Sequence, residues 1–403
     1  MRILITDGNE RAALAVTRAL GQRGHQVTVL SASGRSLAGR SRFAQGEQRV
    51  PSPLSDPVAF VDGVVSVAAA LRAEVLLPIG EAAALGVLGA GERLAGVCVP
   101  FPPLDVFRAV CDKERVLEQA RQLGIAVPVQ HVVASREAWP AIAATALPFP
   151  LVAKPARSVV GAATAGLQKL RVRHIADARA LARLIDELPA TAYPLMLQQR
   201  IVGPGTGIFV LPWAGRLRAV FAHRRLREKP PAGGVSVYSE SIAAEPELVE
   251  QARRLLDAFG WQGVAMVEYK RDASTGVPYL MEINGRFWGS LQLAIDSGVD
   301  FPNLLLDCAT GHAPETLAPF RTGQRLRWLW GDVDHLLMRL RHSARSLDLP
   351  AGAPGRARVL LDFLASWRPG QRCEPWQLND PSPFLHESAE WVRSLLGSGG
   401  SAH

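Results

Sequence analysis

Short apolar runs and helical stripes alternate through the first hundred residues. Ile3-Leu4-Ile5 reads as a buried strand, Asp7-Gly8-Asn9 as a turn, and Arg11 to Arg23 as a helix with Ala12, Val16, Ala19 and Leu20 on one face. Gly24-His25 stops that helix before the run Val27-Thr28-Val29-Leu30. This is a βαβ opening, and it lacks G-x-G-x-x-G, so it carries no dinucleotide signature. Val75-Leu76-Leu77-Pro78 predicts another central strand, with Gly80-Glu81 at its carboxyl end and an Ala/Leu/Gly helix behind it. Ligands sit at that end of open α/β sheets, which makes Glu81 a candidate contact. The competing reading is a solvated carboxylate at a helix N-terminus.

From Pro102 the pattern changes. Val106 to Leu123 predicts one helix containing Asp112-Lys113-Glu114, closed by Gly124 and Pro128. Leu147 to Pro155 predicts a strand ending in Lys154, followed by a polar, glycine-bearing stretch to Gly166. A helix at Ala176 to Leu188 leads into the strand Leu195-Met-Leu-Gln-Gln and then Gly203-Pro-Gly-Thr-Gly207. Phe209 to Leu211 and Arg216 to His223 predict a hairpin about Ala214-Gly215. Pro230 to Gly234 is a loop, Val249 to Phe259 a helix, and Val264 to Lys270 with Tyr279 to Ile283 a second hairpin. This order is α+β and rich in antiparallel pairs.

The last stretch differs again, holding five of the nine tryptophans. Between Arg321 and Arg372 lie ten arginines, four aspartates and no lysine. Leu326, Leu329, Trp330, Val333, Leu336, Leu337 and Leu340 share a helical stripe, predicting a helix from Arg325 to His342 packed by that face on the body of the protein. The tail after Gly397 should be mobile.

Composition narrows the class. A chain of 403 residues with 48% hydrophobic and 20% charged residues builds cores and exceeds one ordinary domain. The most apolar region, Val58 to Leu71, is broken by Asp62 and is too short to span a bilayer. The chain enters a strand at once, with no room for a secretory signal, and Cys98, Cys111, Cys308 and Cys373 lie far apart. A soluble, reduced, cytoplasmic protein is the expectation. The net charge of +8 fits anionic ligands without choosing among nucleotides, phosphorylated substrates, nucleic acid or an acidic membrane, and codon bias is an equal explanation. Only five of the 45 basic residues are lysine, so each lysine merits separate attention.

The most informative cluster is Glu268 followed, fourteen residues on, by Glu282-Ile283-Asn284-Gly285-Arg286. Strand alternation puts Glu282 and Asn284 on one face, and Glu268 joins them if the two arms pair. Two carboxylates and an amide oxygen form a hard site suited to Mg²⁺. Polar residues on the outer face of a hairpin are the plain alternative. Lys113 and Lys154 could each meet phosphate oxygens or snorkel at the surface. An extended linker such as Gln198 to Gly203 can hydrogen-bond an adenine edge through its backbone.

Taken in order, a lysine in a helix, Val-Ala-Lys154-Pro, Gln198-Gln199-x-Ile201-x-Gly203, Glu268 and Glu282-Ile-Asn284-x-Arg286 resemble the ATP-grasp superfamily. Within it, the pattern is similar to carboxylate–amine ligases related to biotin carboxylase and the carbamoyl-phosphate synthase large chain. The resemblance implies a parallel α/β pre-ATP-grasp domain over 1–103 and a two-lobed ATP-grasp domain with antiparallel sheets over 104–315, its lid lobe at about 125–200. A helical Trp/Arg-rich extension would occupy 316–403.

The resemblance further implies that Lys113 and Lys154 hold ATP phosphates, while the backbone near Gln198, Gln199 and Ile201 receives adenine. Glu268, Glu282 and Asn284 would ligate one or two Mg²⁺, with Mn²⁺ also suited, and Arg286 would steady the transferring phosphoryl group. The substrate side would include Glu81, His223 as a proton relay, and Arg225 or Arg227 gripping a carboxylate. Alternation puts Arg225 and Arg227 on one face of their strand. Gln199 stands where glutamate is usual, no acidic residue for ribose is evident, and Arg157 to Gly166 is glycine-poor for the family.

The implied reaction joins a small-molecule carboxylate, through an acyl phosphate, to an amine or less readily a thiol. The alternatives are an ATP-grasp-fold phosphotransferase and a non-enzymatic nucleotide-binding protein at a membrane surface. Membrane contact through the C-terminal region ranks below packing, nucleic-acid binding has no supporting motif, and related ligases are often homodimers.

Overall fold

Four parallel strands open the chain: Arg2–Ile5 (β1), Gln26–Ser31 (β2), Gly46–Arg49 (β3) and Val75–Leu77 (β4), in the order β3-β2-β1-β4. The computed structural model describes residues 1–397 apart from 144–146, 157–158, 163–165, 170–171, 351 and 368–370. Two sites of expectation, part of the 157–166 stretch and the tail beyond 397, therefore lie outside the described residues. Helices Arg11–Gln22 (α1), Pro57–Ala70 (α2) and Glu81–Gly89 (α3) accompany this sheet. Leu4, Leu30, Phe60, Val64 and Leu76 fill one side of it.

A second, antiparallel sheet of order β5-β10-β6-β9 is built from Gln130–Val133 (β5), Leu151–Pro155 (β6), Arg173–Ile175 (β9) and Leu195–Gln199 (β10). Between β6 and β9, Val159–Ala162 (β7) and Gly166–Lys169 (β8) pair as a two-stranded ladder. Leu151, Ala153, Leu195 and Leu197 point to a small core with Leu181 and Ile185 of a helix on that side. Lys154 and Gln198 alternate with these residues and face the other way.

The largest sheet has the order β15-β14-β11-β12-β13-β16-β17. Its strands are Gly205–Trp213 (β11), Arg216–Lys229 (β12), Val235–Ser241 (β13), Ala265–Arg271 (β14), Pro278–Asn284 (β15), Arg325–Trp328 (β16) and Arg372–Glu374 (β17). Both expected hairpins are present, turning at Ala214-Gly215 and near Gly276, where positive φ meets the tight turn. One face carries Phe209, Phe221 and Met266 into a core shared with α1, Trp288 and Phe301. The opposite face carries Val210, Ala265, Val267 and Ile283 onto helical residues Phe107, Val116, Leu117, Leu248 and Leu255.

Two expectations about helices need correction. Val106 to Leu123 is not one helix but two, Leu104–Cys111 (α4) and Lys113–Gln122 (α5). Asp112 leaves the helical conformation, and its carboxylate accepts from the Arg115 amide at 3.2 Å, so it N-caps α5. Lys113 thereby becomes the first residue of a helix. The remaining helices are Trp139–Ala143 (α6), Ala178–Glu187 (α7), Pro246–Ala258 (α8), Leu291–Ser297 (α9), Phe301–Ala309 (α10), Leu329–Arg341 (α11), Arg356–Ala365 (α12) and Ser382–Gly397 (α13).

The second correction falls on Arg325 to His342. Its first four residues are a strand, antiparallel to β13 and parallel to β17, and only then does α11 begin. The helix buries Gly331, Asp332 and Arg339 and leaves the apolar stripe half-covered. Charge pairing outweighs the stripe: Asp332 receives Arg227 at 2.6 and 2.7 Å and lies 3.3 Å from Arg327, all within the fold. No helix among the described residues is long and apolar enough to cross a membrane.

The C-terminal region is bound to the opening domain by buried ion pairs. Arg18 donates to Asp380 at 2.8 Å, with 3% and 1% side-chain exposure, and to the carbonyls of Pro375 and Asp380. Asp380 also accepts from the Ser41 hydroxyl at 2.6 Å and the Arg42 amide at 2.9 Å. Removing one partner strands a buried charge. Asp380→Ala should cost about 3–5 kcal/mol in urea unfolding, and adding Arg18→Met should recover much of it.

Candidate functional site

The site begins with β-sheet register. Glu268 on β14 stands opposite Glu282 on β15, and Met266 opposite Asn284. Continuing across the sheet, Glu268 neighbours Gly207 and Gly207 neighbours His223. In-register residues share a face, so Glu282, Glu268 and His223 extend the side already occupied by the Phe209 core. A Cβ at Gly207 would lie 2.5 Å from the Phe209 ring and 3.2 Å from His223, so glycine is needed between these groups.

Beyond the register, a chain of contacts runs along β15. The Asn284 amide donates to Glu282 at 3.1 Å, and Arg286 donates to the Asn284 oxygen at 3.2 Å and to the Phe287 carbonyl at 2.9 Å. Glu282 and Asn284 share a face as expected, Glu268 joins them across the pair, and Arg286 reaches Asn284 from just past the strand end. Two lysines approach from elements distant in sequence. Lys113, at the head of α5, has its Nζ 3.4 Å from Glu282. Its backbone amide donates to the Ala156 carbonyl at 3.0 Å, which ties the start of α5 to the end of β6. Lys154, on β6, is buried with Nζ 3.5 Å from the Met281 carbonyl.

The charges are mutually dependent. Burial would raise Glu282, but Lys113 and then Lys154 outweigh it and hold its carboxyl at about 2. Lys113 is raised despite its burial, because Glu282 and then Glu81 favour the ammonium. That influence places Glu81, in the first turn of α3, at the edge of the same cluster. Lys154 is pushed down to about 8 by burial, with repulsion from Lys113, against the pull of Glu282.

Arg225 serves Glu268. Its Nη2 donates to Glu268 at 2.5 Å, while Nη1 donates to Glu228 at 3.0 Å and the Gly234 carbonyl at 3.1 Å. Arg225 is raised by Glu268 and Glu228 in spite of burial, whereas burial lifts Glu268. The 2.5 Å contact decides for a carboxylate held by a guanidinium.

Arg227 does not join Arg225. Register shifts on either side of it bulge the strand, which cancels the alternation and turns Arg227 toward Asp332, over the Tyr238 ring. Its expected role at a substrate carboxylate is thereby withdrawn. His223 is buried against Phe209, with ring centroids 4.7 Å apart, and its Nδ1 is 3.4 Å from the Ser290 hydroxyl. Burial, then Arg225, lowers it to about 3, so the ring is neutral near pH 7.

In the 198–203 linker, the Gln199 amide donates to Val129 at 2.8 Å and is therefore not available to a base edge, while Ile201 is buried beside it. The Gln198 side chain is buried, and neither its oxygen nor its nitrogen finds a partner among the described residues. The sequence reading passed over Glu228 and Lys270. Glu228 pairs with Arg225, and Lys270 depresses Lys154. Lysine scarcity was the signal that could have singled out Lys270.

Residues 191–331 match the family model described as ATP-grasp in the biosynthetic pathway with Ter operon. The chain carries an ATP-grasp domain. No curated protein matches the chain in sequence. Among solved structures, an L-amino acid ligase from Bacillus licheniformis is similar with a TM-score of 0.60 and 21% identity, covering 77% of this chain and 75% of that one. The biotin carboxylase βγ-ATP complex from Campylobacter jejuni gives 0.62 and 15%, covering 80% and 74%. N5-carboxyaminoimidazole synthetase from Staphylococcus aureus, complexed with ADP, gives 0.60 and 16%, covering 80% of each chain. Identities at this level carry the fold, and the fold is the one the lysine and Glu-x-Asn-x-Arg pattern resembled.

Holding Lys154 in this interior has a stability consequence with a definite sign. Its folded pKa, about 8, lies below the ordinary 10.5, so protonation penalises the fold at pH 7 and the penalty fades as pH rises from 8 to 10.5. Lys154→Met should therefore be more stable than the parent at pH 7, by up to about 3 kcal/mol. Urea titrations at a series of pH values should show that advantage shrinking through this window.

Proposed function

We propose that the protein is an ATP-dependent ligase that activates a small-molecule carboxylate as an acyl phosphate and joins it to an amine. The observation that carries this reading is the convergence of Lys113, Lys154, Asn284 and Arg286 on the Glu268–Glu282 pair. Its support from likeness is the ATP-grasp match and the ligases among the similar structures.

The donor set fits a divalent metal: two carboxylates and an amide oxygen are hard ligands, and Glu282 is held ionised. Glu268, Glu282 and Asn284 would hold Mg²⁺, which when bound neutralises charge on the β- and γ-phosphates. Lys113 and Lys154 lie where they would take phosphate oxygens, and Ile201 would supply the amide for an adenine edge with Gln198 beside it. Arg286 steadies the phosphoryl group and the substrate carboxylate. Arg225, already committed to Glu268 and Glu228, orients the metal ligand instead of gripping substrate. Glu81 borders the substrate side, and His223, neutral and enclosed, shapes the wall.

In this reaction a carboxylate oxygen attacks the γ-phosphorus and ADP leaves with the bridging oxygen. The amine nitrogen then attacks the acyl carbon, and inorganic phosphate departs. The chain contributes placement and charge, and needs no covalent nucleophile of its own.

Incubation with ATP, Mg²⁺, hydroxylamine and a carboxylate panel should yield a hydroxamate and ADP in step. ADP release with a phosphate ester and no hydroxamate would identify a phosphotransferase instead. Glu282→Gln should fold with reduced stability, because Lys113 and Lys154 lose their carboxylate, and should lose about 10²-fold or more in turnover at temperatures where it stays folded. Unchanged ADP release by that variant would remove the metal assignment.

A further inference from the structure

The helix α12 presents an apolar stripe to solvent. Ala357, Leu360, Leu361 and Leu364 recur at helical spacing, and the three leucines are 41, 62 and 58% exposed. The opposite side of the helix is anchored, and just past its end Trp367 lies under Arg327 at 4.4 Å. Phe363 lies under Arg227 and Arg327, and Ser366 receives Arg227 at 3.1 Å and Arg327 at 2.6 Å. Rotation of the helix to hide its leucines would break that arrangement. The outward stripe is therefore fixed by the interior and is not a packing choice left open.

The stretch of chain that carries this stripe is basic. Arg356 and Arg358 begin the helix, Arg341 and Arg345 lie exposed in the preceding segment, and the acids between residues 341 and 367 are Asp348 and Asp362, the latter paired with Arg358 at 2.8 Å. Two copies meeting through this face would bring like-charged stretches together. An acidic surface would neutralise them while receiving the leucines. Leucines outward with arginine beside them is the pattern of a helix lying in a lipid interface.

We propose that α12 docks the protein on an anionic lipid surface, with Leu360, Leu361 and Leu364 entering the headgroup boundary and Arg356 and Arg358 meeting lipid phosphates. This surface is separate from the Glu268–Glu282 cluster and stands whether or not the ligase reading does.

Co-sedimentation of the full chain with phosphatidylglycerol/phosphatidylcholine vesicles tests it, with pure phosphatidylcholine as the control. Binding should require the anionic lipid and weaken with salt. Leu361→Ser with Leu364→Ser keeps the charge and changes only exposed positions, and should weaken partitioning at least about tenfold. Arg356→Gln with Arg358→Gln should also weaken it, and both variants should melt as the parent does. No binding to anionic vesicles at low salt would overturn the proposal. So would unchanged binding of the serine variant, which would mean charge alone. A parent that sediments as a dimer and a serine variant that is monomeric, without vesicle binding, would assign the face to self-association.

Discussion

Two carboxylates set opposite each other on adjacent strands are the constraint around which the central structure is organised. Like charges at a cross-strand pair repel, and burial adds a desolvation cost to each. Glu268 and Glu282 coexist because each has its own cations. Arg225 serves the first, and Lys113 and Lys154 serve the second. Those cations come from three elements far apart in sequence: strand β12, helix α5 and strand β6. The folding of the two antiparallel sheets relative to one another is thus linked to one small charge balance.

This explains features that look incidental when taken singly. Asp112 ends α4 and caps α5, which sets Lys113 at a helix head, and the Lys113–Ala156 backbone bond then couples α5 to the strand carrying Lys154. The bulge around Arg227 lets Arg225 and Glu228 reach one another although they are three apart on a strand, where regular alternation would separate them. Irregular backbone, in both places, delivers a charged group to where regular geometry would not.

The parts of this arrangement legible in the sequence were those governed by period. Alternation on β15 placed Glu282 and Asn284 together, and turn glycines marked both hairpins. The lysine-to-arginine imbalance drew attention to Lys113 and Lys154. Period failed where a side chain's partner lay on another element. Nothing local announces that Leu326 and Arg327 belong to a sheet, because the strands they join, β13 and β17, are remote in the chain. The apolar stripe continuing from Leu326 into α11 imitated one long helix. Arg227 was misplaced for the same reason, since its bulge depends on β13 and its partner Asp332 on α11.

The C-terminal region shows what polar residues can do in place of a hydrophobic core. Asp332 is enclosed between Arg227 and Arg327, and Arg327 in turn lies over Tyr238, Phe363 and Trp367. Arg11 reaches from α1 to Glu374 at 2.8 Å while its guanidinium covers the Trp328 ring at 4.3 Å. Guanidinium groups suit this use, because they accept aromatic contact on the face and carboxylates at the edge. The arginine excess without lysine between Arg321 and Arg372 then has a physical role beyond net charge. These contacts join the α/β opening, the central sheet and the terminal helices at fixed angles. The same fixation is why the leucines of α12 face outward: with Phe363 and Ser366 held by arginines, the apolar side of the helix has no interior left to enter.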